Sequence, residues 1–207
     1  MFNLFGSDDD NALELLRNDH DEVKKLFDEY EDRKEDADAT SKLEIVETIC
    51  LALVLHASVE EELFYPAVGK AEDAGDLIDE AAVEHQSIKD LIAQLQDSTP
   101  GDALYDAKVK VLGEYVQHHV HEEEGEIFPK ARSADIDLDA LGRRIKARKE
   151  ELMQTPTLPE HTITQARSAT RTTARKQAKR ASTRKGGAAH GAGGSTTKTS
   201  RAAARSR

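Results

Sequence analysis

The sequence has few of the residues that build disulfide frameworks, cysteine-based zinc sites or β-rich cores. A single cysteine, Cys50, among 207 residues excludes an internal disulfide and a cysteine-based zinc site, and is typical of a reducing compartment. No tryptophan and only five prolines disfavour an all-β fold. The longest apolar run, residues 49–55, is too short for a membrane span, and the N-terminus lacks the features of a signal peptide. We therefore expect a soluble cytoplasmic protein that does not associate with membranes.

Acidic residues are also absent from one end of the chain. Of the 29 Lys and Arg residues, 12 lie in 161–207, which leaves 17 beside all 40 acidic residues in 1–160. The front of the chain is therefore near −23 and the tail near +12. Because Ile163 is the only large apolar residue in 161–207, this segment cannot bury enough apolar surface to fold. We predict a folded domain over residues 1–152 and a disordered basic tail over residues 153–207.

Four stretches of the front part carry apolar residues at the spacing of an amphipathic helix. The apolar positions are Leu13, Leu16, Val23, Phe27 and Tyr30; Ile45, Ile49, Leu53, Val59 and Leu63; Ile78, Ala81, Ile88, Ile92 and Leu95; and Val109, Leu112, Val116, Val120 and Ile127. We predict an all-α, up-down antiparallel four-helix bundle with a short extra C-terminal helix carrying Leu138, Leu141, Ile145 and Leu152. Capping residues are predicted at Ser41, with Glu44, and at Thr99 before Pro100.

Histidines interrupt all four apolar stripes. The interrupting residues are His20, His56, His85 and His119, with Glu60 four residues after His56 and Glu123 four after His119. A lone histidine on an apolar face is more often a hydrogen-bonded core residue than a ligand. Six such groups on four helices favour a shared site instead, because each His-x-x-x-Glu pair lies on one helix face. Imidazole and carboxylate ligands without thiolates suit transition metals, iron foremost.

The spacing of these residues repeats along the chain. His56 to His119, Glu60 to Glu123 and Pro66 to Pro129 are each 63 residues apart, and His20 to His85 is 65. The proline spacing selects His119 over its neighbours His118 and His121 as the inward residue. Two hairpins folded on each other would form a two-fold set of ligands, which is a natural site for two metal ions.

The pattern resembles the hemerythrin-like, HHE cation-binding family over about residues 11–132. The resemblance is carried by Asn18-Asp-His20, His56-x-x-x-Glu60-Glu-Glu-Leu-Phe-Tyr-Pro, Glu84-His85 and His119-x-x-x-Glu123-Glu-x-Glu-Ile-Phe-Pro. It implies an up-down four-helix bundle that holds two iron ions, with an oxo or hydroxo bridge in the oxidised state. Carried over to this chain, it implies iron ligation by His20, His56, His85 and His119, with Glu60 and Glu123 as bridging carboxylates.

One position departs from the oxygen-carrying members of that family. These have a fifth histidine four residues after the ligand of the third helix, where this chain has Lys89. Either an acidic residue or water takes the place of the fifth ligand, or a coordination position stays open. An open position favours reaction with peroxide, oxygen or nitric oxide over reversible oxygen carriage.

Several nearby residues are assigned lesser roles. Asp19 and Glu84 directly precede ligand histidines and point away from them, so they are poor ligands. Glu61 and Glu124 are either extra oxygen ligands or, as we favour, part of a solvated face. The tyrosines Tyr30, Tyr65 and Tyr115 are either hydrogen-bond donors to the centre or, more commonly, packing residues.

The leading functional hypothesis is a di-iron protein that reacts with or senses oxygen species, with peroxide decomposition as its possible enzymatic activity. The alternative is a non-catalytic module for iron handling or oxygen binding that the basic tail tethers to nucleic acid. The regularly spaced Lys and Arg residues would neutralise phosphates without reading base sequence. A tail that binds the acidic bundle of its own chain is the remaining possibility.

Overall fold

The computed structural model of the protein describes residues 11–70 and 74–154. Four rods and one further helix make up this part of the chain: α1 (Ala12–Arg33); α2 (Ala39–Val59), a π-helical turn (Glu60–Phe64) and α3 (Tyr65–Val68); α4 (Gly75–Gln96); α5 (Tyr105–Glu122), a second π-helical turn (Glu123–Ile127) and α6 (Phe128–Ser133); and α7 (Leu138–Gln154). The predicted all-α four-helix bundle with an extra C-terminal helix is confirmed. None of the described helices is both long and apolar enough to span a membrane. Nearly all of the predicted basic tail lies outside the described residues.

Two helix starts differ from those predicted. Asp38, not Ser41, caps α2, because its carboxylate accepts a hydrogen bond of 2.8 Å from the backbone N–H of Ser41. Helix α5 begins at Tyr105, five residues after Pro100. The predicted cap at Thr99 is wrong because its N–H donates to the Asp102 carboxylate over 2.7 Å, which closes a separate turn before the helix. In both places an aspartate carboxylate competed for the backbone donors.

The second and fourth rods contain matching π-helical turns. In each turn a backbone N–H donates to the carbonyl five residues earlier, from Tyr65 to Glu60 and from Phe128 to Glu123. Pro66 and Pro129 follow directly and have no N–H with which to continue the α-helical pattern. Each turn begins at one of the two predicted bridging glutamates, and π-helical turns are frequent at functional sites.

The apolar core is divided into two clusters along the bundle axis. One cluster includes Val23, Leu26, Ile49, Ile92 and Leu112. The other includes Leu13, Leu16, Phe64, Phe128 and, from α7, Leu141 and Ile145. The four stripe histidines belong to neither cluster, although all of them are buried. A polar layer therefore separates two apolar ends, and the histidines and glutamates occupy that layer.

Candidate metal centre

The four stripe histidines converge on one point in the bundle. Their exposed fractions are 6% for His20 and His56, 3% for His119 and 2% for His85. The Nε2 atoms of His20 and His56 lie 3.1 Å apart, and those of His85 and His119 are also 3.1 Å apart. Hairpin 1 (residues 12–68) and hairpin 2 (residues 75–133) thus each contribute one close pair of imidazoles.

Two buried glutamates connect the hairpins. Glu60 of hairpin 1 places Oε1 3.0 Å from His56 Nε2 and Oε2 3.2 Å from His85 Nε2, which belongs to hairpin 2. Glu123 of hairpin 2 places Oε2 3.2 Å from His20 Nε2 of hairpin 1. Both glutamates are fully buried. Each carboxylate therefore reaches a histidine of the other hairpin, and Glu60 contacts a histidine of both hairpins.

A second ring of carboxylates holds the outer nitrogens of the histidines. The four Nδ1 contacts are His56 with Asp19 at 3.0 Å, His85 with Glu61 at 2.9 Å, His119 with Glu84 at 2.8 Å and His20 with Glu124 at 2.8 Å. A proton on each Nδ1 is then donated outward, which leaves the Nε2 lone pair available for a metal. Glu61 and Glu124, which we expected to lie on a solvated face, belong to this ring. The repeat in the sequence could have predicted this ring, because Asp19 and Glu84 are 65 residues apart and Glu61 and Glu124 are 63 apart.

Each outer carboxylate also contacts a basic side chain. These contacts pair Asp19 with Lys149, Glu61 with Lys89 at 2.6 Å, Glu84 with His118 at 3.4 Å and Glu124 with Arg17 at 3.2 Å. Lys89, which replaces the fifth histidine of the oxygen carriers, therefore points to Glu61 and offers no nitrogen to the centre. His118 and His121 are exposed, and it is His119 that lies with the other ligand candidates.

The tyrosines Tyr30, Tyr65 and Tyr115 lie in different surroundings. The Tyr65 hydroxyl lies 3.5 Å from Glu60 Oε2 and 3.4 Å from His85 Nε2, at the edge of the centre. Tyr30 instead donates to Asp106 over 2.5 Å, and Tyr115 is 47% exposed. Cys50 is buried, and burial raises the pKa of its thiol to about 12, so it is an unreactive thiol.

The electrostatics of the centre depend on its mixture of bases and acids. Burial alone would lower the pKa of His56, but Glu60 and Asp19 raise it to about 10. His85 shows the same balance, with Glu60 and Glu61 raising its pKa to about 9. Burial and the charge of Glu60 raise the pKa of Glu123. Without a metal, protons on His56 and His85 therefore compensate the buried carboxylates.

The donor set fits metal ions better than a hydrogen-bond network. Glu60 Oε1 and both oxygens of Glu123 are buried without a hydrogen bond, although His56 Nε2 lies 3.0 Å from Glu60 Oε1 and His20 Nε2 lies 3.2 Å from Glu123 Oε2. These contacts have the distance but not the direction of hydrogen bonds. The ligand atoms form two groups, each with its atoms within 4.8 Å of one another: His20, His56, Glu60 and Glu123, and Glu60, His85 and His119. Glu60 is common to both groups.

Comparison with known proteins agrees with this geometry. Residues 11–131 match the model of the hemerythrin HHE cation binding domain. The chain belongs to this family. A curated protein named "DNA nickase" from Nostoc sp. (strain PCC 7120) is 29% identical over 153 residues, covering 72% of this chain and 42% of that protein. This chain therefore spans about two fifths of that relative.

A solved structure shows the same fold. It is the crystal structure of a hemerythrin HHE cation binding domain-containing protein from Mycobacterium kansasii, with a TM-score of 0.60 and 24% identity. The match covers 73% of this chain and 93% of the other. All six candidate ligands lie within the residues that match the family, so this HHE domain has a cluster of nitrogen and oxygen donors suited to a metal ion.

Proposed function

We propose that this HHE domain binds two iron ions and reacts with or senses oxygen, peroxide or nitric oxide in the cytoplasm. The observation that carries the proposal is the pair of donor groups that share Glu60. Four neutral imidazoles and two carboxylates suit iron, because its ions accept nitrogen and oxygen donors together. When bound, a pair of iron ions supplies two-electron redox chemistry with oxygen species.

A small apolar chamber beside the histidines favours a small ligand over a large one. Its volume is about 20 Å³, enough for one water-sized molecule. The apolar side chains that line it are Val23, Leu53, Ala57, Ile88, Val116 and Val120, beside all four histidines. An open groove of about 1060 Å³ between α1 and α5 shares His20, Val116 and Val120 with this chamber. We infer that the ligand enters past these two valines.

Tyr65 provides a hydrogen-bond donor at the centre. Burial, with the charges of Glu60 and Glu123, raises the pKa of Tyr65 far above its usual value. The hydroxyl therefore stays protonated at neutral pH and can donate a hydrogen bond to Glu60 or to an oxygen ligand beside His85. No such donor comes from Phe128, which stands at the equivalent position of hairpin 2 and stacks on His20 at 6.0 Å.

The contact of Lys89 with Glu61 favours reactivity over reversible oxygen carriage. Because Lys89 supplies no fifth imidazole nitrogen, the residues present would leave a bound iron pair room for water or a reactant. Stopped-flow mixing of reduced, iron-loaded protein with oxygen or peroxide tests this. We expect a single exposure to oxygen or peroxide to oxidise the iron. When a reductant is present, the protein should consume peroxide in repeated cycles. Stable oxygen uptake that reverses fully under vacuum would instead identify a carrier.

The alternative we keep is a non-catalytic iron-handling or oxygen-binding module that the basic tail tethers to nucleic acid. It is supported by the 12 Lys and Arg residues of 161–207, where no acidic residue occurs, and by the name of the DNA nickase relative. Residues 153–207 would then form a separate functional part of the chain. The two proposals are compatible, because tethering does not involve the six ligand candidates.

Gel-shift titrations at several salt concentrations test the tethering. If about six tail charges meet phosphates, log K should fall with log salt at a slope near −5, with little dependence on base sequence. Deleting residues 161–207 should abolish DNA binding and leave iron content unchanged. Full-length protein that fails to bind DNA even at low salt would contradict the tethering and favour the acidic bundle as the partner of the tail.

A further inference from the structure

Lys149 is a buried cation on a helix outside the stretch that matches the family. Helix α7 begins at Leu138, seven residues after the end of the match at residue 131. Lys149 is 6% exposed and follows Leu141 and Ile145 at four-residue steps, so it occupies the buried face of α7. A buried lysine is costly unless its charge is paired. Its partner is Asp19 on α1.

The partner oxygen connects Lys149 to the centre. Asp19 Oδ2, which contacts Lys149 Nζ, is the same atom that lies 3.0 Å from His56 Nδ1. One carboxylate oxygen therefore lies between a buried ammonium and the outer nitrogen of a ligand candidate.

Among residues 11–70 and 74–154, no buried cation lies at the matching place in the other half of the centre. Glu84, which holds His119, contacts His118, whose side chain is 63% exposed. The other two outer carboxylates pair with Lys89 and Arg17, whose side chains are 36% and 30% exposed. Among the described residues, Lys149 is therefore the one buried basic partner of an outer carboxylate.

We propose that Lys149 is a positioning residue that fixes Asp19, and through it His56, so that α7 forms part of the metal centre. This inference rests on the proposed iron site. The ammonium holds Asp19 Oδ2 in the direction that His56 Nδ1 requires, and keeps the imidazole aimed at Glu60 and the shared centre. Loss of the direct partner of a ligand histidine, here Asp19, typically weakens metal binding by about 10–100-fold, so loss of Lys149 should act at the lower end of that range.

The test compares Lys149→Met with Arg148→Met in iron-loaded, full-length protein. Arg148 is the neighbouring cation on α7, but it contacts Glu62 and Glu151 rather than an outer carboxylate. We expect Lys149→Met to release iron to a chelator about tenfold faster and to shift the near-ultraviolet charge-transfer band. Arg148→Met should leave the rate of iron release and the charge-transfer band unchanged. Lys149→Arg should show the band of the wild-type protein. Equal release and an unshifted band in the two Met variants would overturn the proposal.

A double-variant cycle separates positioning from general destabilisation. If Lys149 acts through Asp19, then adding Lys149→Met to Asp19→Asn should change iron release by less than about twofold. An undiminished effect in that background would mean that Lys149 acts elsewhere. Lys149→Gln carries the same expectations if Lys149→Met does not fold. Wild-type protein that binds no iron would refute the proposed function itself, whereas normal wild-type loading with equal variants refutes only the role of Lys149.

Discussion

Hairpins 1 and 2 carry matching inner side chains and different outer ones. His56 and Glu60 of hairpin 1 correspond to His119 and Glu123 of hairpin 2, and both glutamates begin π-helical turns. Around this matched set, Tyr65 lies against His85 whereas its counterpart Phe128 lies against His20. The repeat therefore supplies two similar positions, and the outer residues make those positions chemically unequal.

The largest effect should come from removing one ligand of the matched pair. We expect His119→Ala to lose at least one of two irons, because the His85 group would keep one imidazole and a shared carboxylate. His56→Ala should lose a similar amount if the hairpins contribute equally. His121→Ala is the control, since His121 is exposed on the same helix. Iron analysis after desalting is the measurement, and a loss confined to the His121 variant would mean that the assigned helix face is wrong.

A smaller effect should follow from exchanging the unequal pair. Tyr65→Phe gives both hairpins a phenylalanine at this position and removes the hydroxyl 3.4 Å from His85 Nε2. We expect peroxide consumption to slow by at least about tenfold, as when a positioned hydrogen-bond donor is lost, with iron content unchanged. Tyr30→Phe provides the control, because Tyr30 bonds Asp106 instead. Equal rates for the two variants would leave Tyr65 a packing residue.

The smallest effect concerns the metal-free protein and pH. The pKa values of His56 and His85 are raised to about 10 and about 9, against 6.5 for an ordinary histidine. Between about pH 6.5 and pH 10, the folded state therefore binds more protons than the unfolded state. This contribution to stability is full below about pH 6.5 and is lost as pH rises to about 10.

Urea unfolding of metal-free protein at about pH 6.5 and pH 9.5 measures that loss. We expect a lower midpoint at the higher pH, and a smaller decrease in His56→Gln. Iron-loaded protein should not show the decrease, because a metal replaces the proton at Nε2. A metal-free midpoint that stays level or rises would show that these histidines are not stabilised as cations.

The sequence predicted the inner residues because they violate a regular pattern. Histidine on an apolar stripe is conspicuous, and the 63-residue proline spacing selected His119 over His118. Lys149 carried the same signal, since it follows Ile145 by four residues on the stripe of α7. We did not predict its burial, because a lone lysine at the end of a short helix is usually solvated.

The contacts of the outer carboxylates and the π-helical turns could not be predicted from the apolar spacing of the helices. The outer carboxylates are one residue from ligand positions, about 100° around the helix, so their contacts depend on how neighbouring helices pack. Asp19 therefore reaches His56 on α2 rather than its own neighbour His20. The π-helical turns were also unexpected, because a single turn of five residues is too short to establish a period of its own.

The iron content of the full-length protein, purified after loading under iron-replete conditions, shows whether the HHE domain holds two irons. The shared position of Glu60 between two donor groups predicts about two irons per chain, with charge-transfer absorption in the near ultraviolet after oxidation. The spectrum should disappear on reduction and return with an oxidant. Protein that holds only zinc, or no metal, under these conditions would contradict a di-iron centre.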